Sequence, residues 1–277
     1  MRIDENTKII GRFHHKVSPR GLNIYNPYFE EEGINALYVL FWDPDPKRLF
    51  EGLRKLKLAG AVTVGFENDP QLFGLLDEYD DMVGYTKKVG FVTNVDGKVK
   101  GFRQGGEAFF KTIERAQSIK GKRLVLVGAG NIAQQLLFYL QCSGNVPRAV
   151  DIYNRTQGRA EALQKEFKCV TGAYSLDKLT SAGGDILANV SHLGGSVPDN
   201  VFTRNLVEQF GAVADITFET ESTNLIALGK KLKKRCATGW DMFTYQGQIV
   251  LETILGQPIS FEKLQNHVRQ GLGETVK

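Results

Sequence analysis

Cysteine is scarce in this chain. Cys142, Cys169 and Cys236 are the only three in 277 residues, an odd number without metal-ligand spacing. That excludes a disulfide framework and a cysteine metal centre, and fits buried thiols in a reducing cytoplasm. Histidine is also sparse: His14 and His15 are adjacent, while His192 and His267 stand alone, a spacing from which no metal site follows. Long apolar runs are missing, so no membrane partner is expected. The opening MRIDENTKII has neither the charged start nor the apolar core of a secretory signal, which makes a cytoplasmic location the expectation. An excess of one charge is lacking too, with 35 Lys and Arg against 31 Asp and Glu. The basic cluster at residues 230–235 suits a solvated helix end, and no nucleic-acid partner is expected. What remains is 42% hydrophobic and 24% charged, a globular composition long enough for two domains with separate cores.

The most informative stretch spans residues 124–156. Leu124, Val125, Leu126 and Val127 form a short apolar run suited to a strand buried on both faces, and it leads into Gly128-Ala129-Gly130-Asn131-Ile132-Ala133. This is G-x-G-x-x-A. The first glycine allows a tight turn, the second lets backbone approach a pyrophosphate, and Ala133 lets the next helix sit close. Leu136, Leu137 and Leu140 keep helical spacing, Gly144 ends that helix, and a second strand follows at residues 149–153. After it, where an NAD enzyme usually carries an acid, stand Asn154, Arg155 and Thr156, with Arg159 one turn later. A guanidinium binds a 2′-phosphate that a carboxylate would repel, so NADP is the expected cofactor.

Strands are predicted at residues 8–13, 35–42 and 60–65. Helices are predicted at 26–33, at 71–79 after the N-cap Asp69, and after Asp45-Pro46 with Leu49, Phe50, Leu53 and Leu56 on one face. Asp96-Gly97 signals a hairpin between strands at 91–95 and 98–102. A helix at 107–118 leads into the glycine-rich unit, further strands fall at 186–190, 213–218 and 235–238, and helices at 241–255 and 261–271 close the chain. The expected fold class is α/β with two lobes and a cleft between them. A mainly parallel N-terminal substrate lobe takes residues 1–105 with 241–277, and a Rossmann-like NADP-binding lobe takes 106–240.

Over nearly its whole length the chain resembles the shikimate dehydrogenase family. The signatures come in order: Ser18-Pro19, the G-x-V-T strand ending in Thr63, Asp96-Gly97-Lys98 before Gly101-Phe102, the glycine turn, Asn154-Arg155-Thr156, Asn189-Val190-Ser191, and Gly239-x-x-Met242-x-x-x-Gln246-Gly247. The resemblance implies an NADP-dependent oxidoreductase that interconverts ketone and alcohol on a small carboxylate-bearing substrate. It places Gly128, Ala129, Gly130, Asn131, Ile132, Asn154, Arg155, Thr156, Arg159, Val190, Ser191, Gly239 and Met242 at the cofactor. Ser18, Thr63 and Gln246 fall to the substrate, and Arg103, between the hairpin and Gly105-Gly106, is a further substrate candidate from its place in the chain, with a surface salt bridge as its alternative.

The departures from the family lie among the residues that handle the proton. The family's lysine is Glu67 here and its partner aspartate is Gly105, while Lys16 replaces a serine beside Ser18 and Ala61 an asparagine before Val62-Thr63. Lys16 and Glu67 are therefore the catalytic candidates, with His192 as an alternative proton donor. Shikimate itself is not expected as substrate. The alternative is a catalytically inactive NADP-binding paralogue that serves as a sensor, and a monomer and a homodimer are both open.

Overall fold

The structure is a computed structural model that describes residues 3–14, 20–63, 65–66, 68–195, 197 and 200–273. The chain divides into two compact units, residues 1–104 with 246–277 and residues 105–245. Each has its own six-stranded sheet.

Unit 1 begins with β1 (Lys8–His14), α1 (Arg20–Glu31), β2 (Ala36–Trp42), α2 (Pro46–Lys55), β3 (Gly60–Val62) and α3 (Pro70–Gly74). It continues with β4 (Glu78–Tyr79), α4 (Asp81–Thr86), β5 (Phe91–Val95) and β6 (Lys98–Phe102). The sheet order is β2-β1-β3-β5-β6-β4. β1 runs parallel to β2 and β3, and β4 to β6. The hairpin turns β5 antiparallel to both its neighbours, because Asp96 and Gly97 take φ angles of 52° and 84°. Side chains alternate along β1. Phe13 packs against Phe41 and Phe50 on the α2 face, whereas Ile10 pairs with Gly60 on the opposite face, where α10 supplies Ile254.

Four elements depart from the sequence expectation. α1 starts at Arg20 and carries Pro27 inside. The Asn26 side chain accepts from the Tyr38 nitrogen at 2.8 Å and donates to the Tyr38 carbonyl at 3.0 Å, which anchors the kinkable segment to β2. The strand predicted at 60–65 stops at Val62, since Thr63 turns its amide and hydroxyl to Gly90 and Val89. The helix predicted at 71–79 ends at Gly74. The Asp77 carboxylate accepts from the Val99 nitrogen at 2.7 Å and from Arg54 at 2.8 Å, which draws the chain onto the sheet edge. Leu56, expected on the buried face of α2, is 66% exposed just past the helix end.

Unit 2 comprises α5 (Gly105–Ala116), β7 (Arg123–Val127), α6 (Asn131–Ser143), β8 (Ala149–Asn154), α7 (Gln157–Glu166) and β9 (Val170–Ser175). After a 3-10 turn come β10 (Ile186–Asn189), α8 (Arg204–Glu208), β11 (Ala212–Asp215), α9 (Asn224–Lys231) and β12 (Arg235–Ala237). All strand pairs are parallel, in the order β12-β11-β10-β7-β8-β9. The direction of winding reverses at β7, as in Rossmann sheets. Of α10 (Gly239–Leu255), residues 239–245 belong to unit 2 and 246–255 to unit 1, and α11 (Phe261–Gly273) belongs to unit 1. Among the cysteines, expected to be buried, Cys142 is exposed and Cys169 and Cys236 are half-buried, all three free.

Candidate functional site

The strand order fixes where a ligand meets unit 2. In open α/β sheets that place is the carboxyl edge where winding reverses, here the ends of β7 and β10. Gly128 follows β7 with φ +120°, and its amide donates to the Tyr153 carbonyl at 2.8 Å. A Cβ at Gly128 would lie 3.0 Å from the carbonyl carbon and oxygen of Val190 and 3.1 Å from the Ser191 Cβ. Conformation and space both demand glycine there. Gly130 has the opposite surroundings: nothing lies within 4 Å of its Cβ position. It caps α6 without a side chain, and the first turn of α6 carries no acid. With Asn131 exposed and Ile132 half-buried beside it, the free N–H groups of that turn face open space, which suits a phosphate. Ala133 is fully buried under the helix.

Asn154 organises the turn from the β8 side. Its carboxamide accepts from the Ala129 amide at 3.1 Å and donates to the Thr156 carbonyl at 2.8 Å. Arg155, Thr156 and Arg159 are exposed beyond it, and neither arginine pairs with a carboxylate among the described residues.

A buried polar cluster supports the β10 side. The Val190 amide donates to Val127 at 2.9 Å. Asn189 accepts from the Ser191 amide and hydroxyl at 3.1 and 2.6 Å, and donates to Leu193 and to Asp215. Asp215 is fully buried, and burial pushes its carboxyl up to about 6 although Thr217, Thr223 and Asn189 all donate to it. Sequence reasoning missed Asp215. An acid among the alanines and valines of β11 was the available signal. At the start of α10, Gly239 has no room for a side chain against the Thr217 carbonyl, Trp240 donates to Phe218 at 3.0 Å, and Met242 is buried.

Gly105 and Gly106 open α5 against α6. A Cβ on Gly106 would run into the Gln135 carbonyl, so the backbones meet directly. A Cβ on Gly105 would lie 2.5 Å from Gln135 Oε1 and 3.1 Å from Ile132 Cδ1. Gln135 is buried, its Nε2 donates to Asn131 at 3.1 Å, and its Oε1 has no partner. The glutamine thus fills the space into which a longer residue 105 would project. Its signal in the sequence was a polar side chain beside Leu136 on the buried face of α6.

Lys16, Ser18 and Glu67 lie outside the described residues. In unit 1, Thr63 is fully buried and its hydroxyl donates to the Val89 carbonyl at 2.8 Å. Arg103 is half-buried, and its amide donates to Asp80 at 3.3 Å. Gln246 is half-buried on α10 and its amide makes no hydrogen bond to another described residue. His192 is exposed. Among the described residues no group of three or more His, Cys, Asp or Glu is placed to hold a metal ion, and no helix is long and apolar enough to cross a membrane.

Sheet order, glycine turn and capping pattern define the class: a two-unit α/β protein whose second unit carries a Rossmann-type parallel sheet. A family model described as shikimate / quinate 5-dehydrogenase matches residues 111–210. The chain is 28% identical over 236 residues to a shikimate dehydrogenase (NADP(+)) of Pyrococcus abyssi, covering 84% of this chain and 85% of that protein. Its fold matches that of a shikimate 5-dehydrogenase-like protein with a TM-score of 0.83 at 20% identity, over 98% of this chain and 99% of the other. A shikimate dehydrogenase solved with NADP+ gives 0.80 at 23% identity, over 98% of each chain. The chain is thus similar to shikimate dehydrogenases, through the family model over residues 111–210, through relatives at 28% identity, and in fold over nearly its whole length.

Proposed function

We propose that unit 2 binds NADP(H) and that the chain is an oxidoreductase acting on a small ketone or alcohol that carries a carboxylate, other than shikimate. The observation that carries the cofactor assignment is an open, uncapped α6 start at Gly130 together with two guanidinium groups past β8 that pair with no carboxylate among the described residues. The donor set fits the group. Backbone N–H at Gly130, Asn131 and Ile132 would hold the pyrophosphate, and Arg155 and Arg159 the 2′-phosphate, with Asn154 fixing the turn and Thr156 beside it. Val190, Ser191, Gly239 and Met242 would line the nicotinamide end. The bound cofactor supplies hydride chemistry. Unit 1 supplies the substrate contacts Ser18, Thr63, Arg103 and Gln246, and Lys16 and Glu67 are the groups proposed to manage the proton of the reacting hydroxyl.

Shikimate is set aside because the family's aspartate position is Gly105 and Gln135 occupies the space beside it. The same observation favours a second reading, an NADP-binding protein without turnover. NADPH fluorescence titration tests the cofactor assignment. Arg155→Ala should weaken NADPH binding by about 1–3 kcal/mol and leave NADH nearly unchanged, and equal losses for both would reject it. Robust shikimate oxidation would reject the substrate assignment. NADPH binding without turnover across a panel of keto acids and hydroxy acids would favour the second reading.

A further inference from the structure

Arg12 lies in β1, with β2 and β3 on either side, opposite Leu40 and Val62. Strand alternation puts it on the face of Ile10, the face that α10 covers through Ile254. Its Nε is buried and has no hydrogen-bond partner, and no carboxylate of the described residues forms an ion pair with its guanidinium. The side chain as a whole is half-buried, so this Nε–H is a donor held out of water without an acceptor while the guanidinium stays open to an anion.

Two tyrosines share this face. Tyr25 on α1 and Tyr38 on β2 are buried, with ring centroids 4.8 Å apart. The charge of Arg12 favours their ionisation, yet burial outweighs it, raising Tyr25 to about 12 and Tyr38 further still. Both hydroxyls therefore keep their protons at neutral pH and remain donors. The fold is fitted around them. Gly21 has no room for a side chain against the Tyr38 ring, and a Cβ on Gly247 would lie 2.9 Å from the Tyr25 hydroxyl. Gly247 directly follows Gln246, whose amide is unengaged among the described residues.

We propose that Arg12, with the hydroxyls of Tyr25 and Tyr38, forms a receptor in unit 1 for a carboxylate group of the substrate. A guanidinium presents paired N–H groups in the geometry of a carboxylate's two oxygens, and neutral phenols add donors without competing charge. The assignment rests on the reading of unit 1 as the substrate-binding part. It adds a residue that none of the sequence signatures contains.

The test is calorimetric titration of the full chain, without cofactor, by shikimate and quinate as carboxylate probes and by their methyl esters as neutral counterparts. The wild-type chain is expected to bind the acids at least about ten-fold tighter than the esters, as a charge-assisted pair requires. Arg12→Met should abolish that preference, and Arg12→Lys should keep part of it. Where Arg12→Met does not fold, as judged by circular dichroism, Arg12→Gln is the deciding variant. NADPH binding by each variant reports on unit 2 alone, so failure of the carboxylate receptor is distinguishable from failure of the cofactor reading. A wild-type chain that binds neither acid at millimolar concentration, or binds acid and ester alike, overturns the proposal, as does an Arg12→Met chain that retains the preference.

Discussion

Gly105→Asp introduces a carboxylate at the position proposed above to correspond to an aspartate of shikimate dehydrogenases, and the structure predicts that the chain resists it. The new Cβ would lie 2.5 Å from Gln135 Oε1 and 3.1 Å from Ile132 Cδ1. Gln135 must then swing away from a buried position and give up its 3.1 Å bond to the Asn131 carbonyl. Overpacking of this kind costs about 1–3 kcal/mol, and the lost hydrogen bond about 1 kcal/mol. Two terms offset this. An acid in the first turn of α5 gains about 0.5–1 kcal/mol from the helix dipole, and replacing glycine at the helix start returns about 0.5 kcal/mol. The net expectation is a destabilisation of about 2 kcal/mol, most of it owed to Gln135. A double-mutant cycle with Gln135→Ala, followed by urea unfolding and circular dichroism, isolates that share as a coupling of about 1–2 kcal/mol. A Gly105→Asp chain as stable as wild type, or a penalty unchanged by Gln135→Ala, would refute the claim that the glutamine holds this space.

Two further predictions concern the supports of the glycine turn. Asp215 has a folded value of about 6, above its ordinary 3.8, so its favourable contribution is full below about pH 4 and is lost as pH rises through 6. Linkage makes this about 3 kcal/mol, and Asp215→Asn should flatten the pH dependence of urea stability between pH 4 and 7 relative to wild type; identical slopes would reject it. Gly128→Ala places a Cβ 3.0 Å from the Val190 carbonyl at φ +120°, which should cost roughly 2–4 kcal/mol and weaken NADPH binding. An unchanged melting temperature with unchanged binding would count against the turn geometry.

The glycine turn was legible because its physics is local. Residues 124–133 determine a buried strand, a turn that excludes Cβ and a helix start within ten positions of one another, and the Asp96-Gly97 hairpin is equally self-contained. What escaped was set by partners far apart in the chain. β9 has the sequence VTGAYS, with too weak an alternation to announce a strand, and is recruited by pairing with β8 at the sheet edge. The early end of α3 depends on Asp77 meeting Val99 and Arg54, more than twenty residues away in either direction. Gln135 looked like an ordinary helix residue until its side chain met Gly105, thirty positions earlier. Asn154, expected at the cofactor, accepts from the Ala129 amide, a partner twenty-five positions earlier that the sequence did not point to.

These placements also narrow where the proton of the reaction can be handled. A guanidinium does not release its proton near neutrality, and Tyr25 at about 12, with Tyr38 higher, holds its own. Arg12, Tyr25 and Tyr38, proposed as a carboxylate receptor, would therefore orient a substrate without exchanging a proton with it. Asp215 titrates near 6, yet it accepts from Thr217, Thr223 and Asn189 beneath the β10 edge, which suits a support of the turn and not a donor to substrate. Gly105 contributes no titratable group at all. We propose that, where the chain turns over substrate, Lys16, Glu67 or His192 transfers the proton. The pH dependence of kcat then separates them, since a carboxyl, an imidazole and an ammonium titrate in different ranges unless burial moves them together.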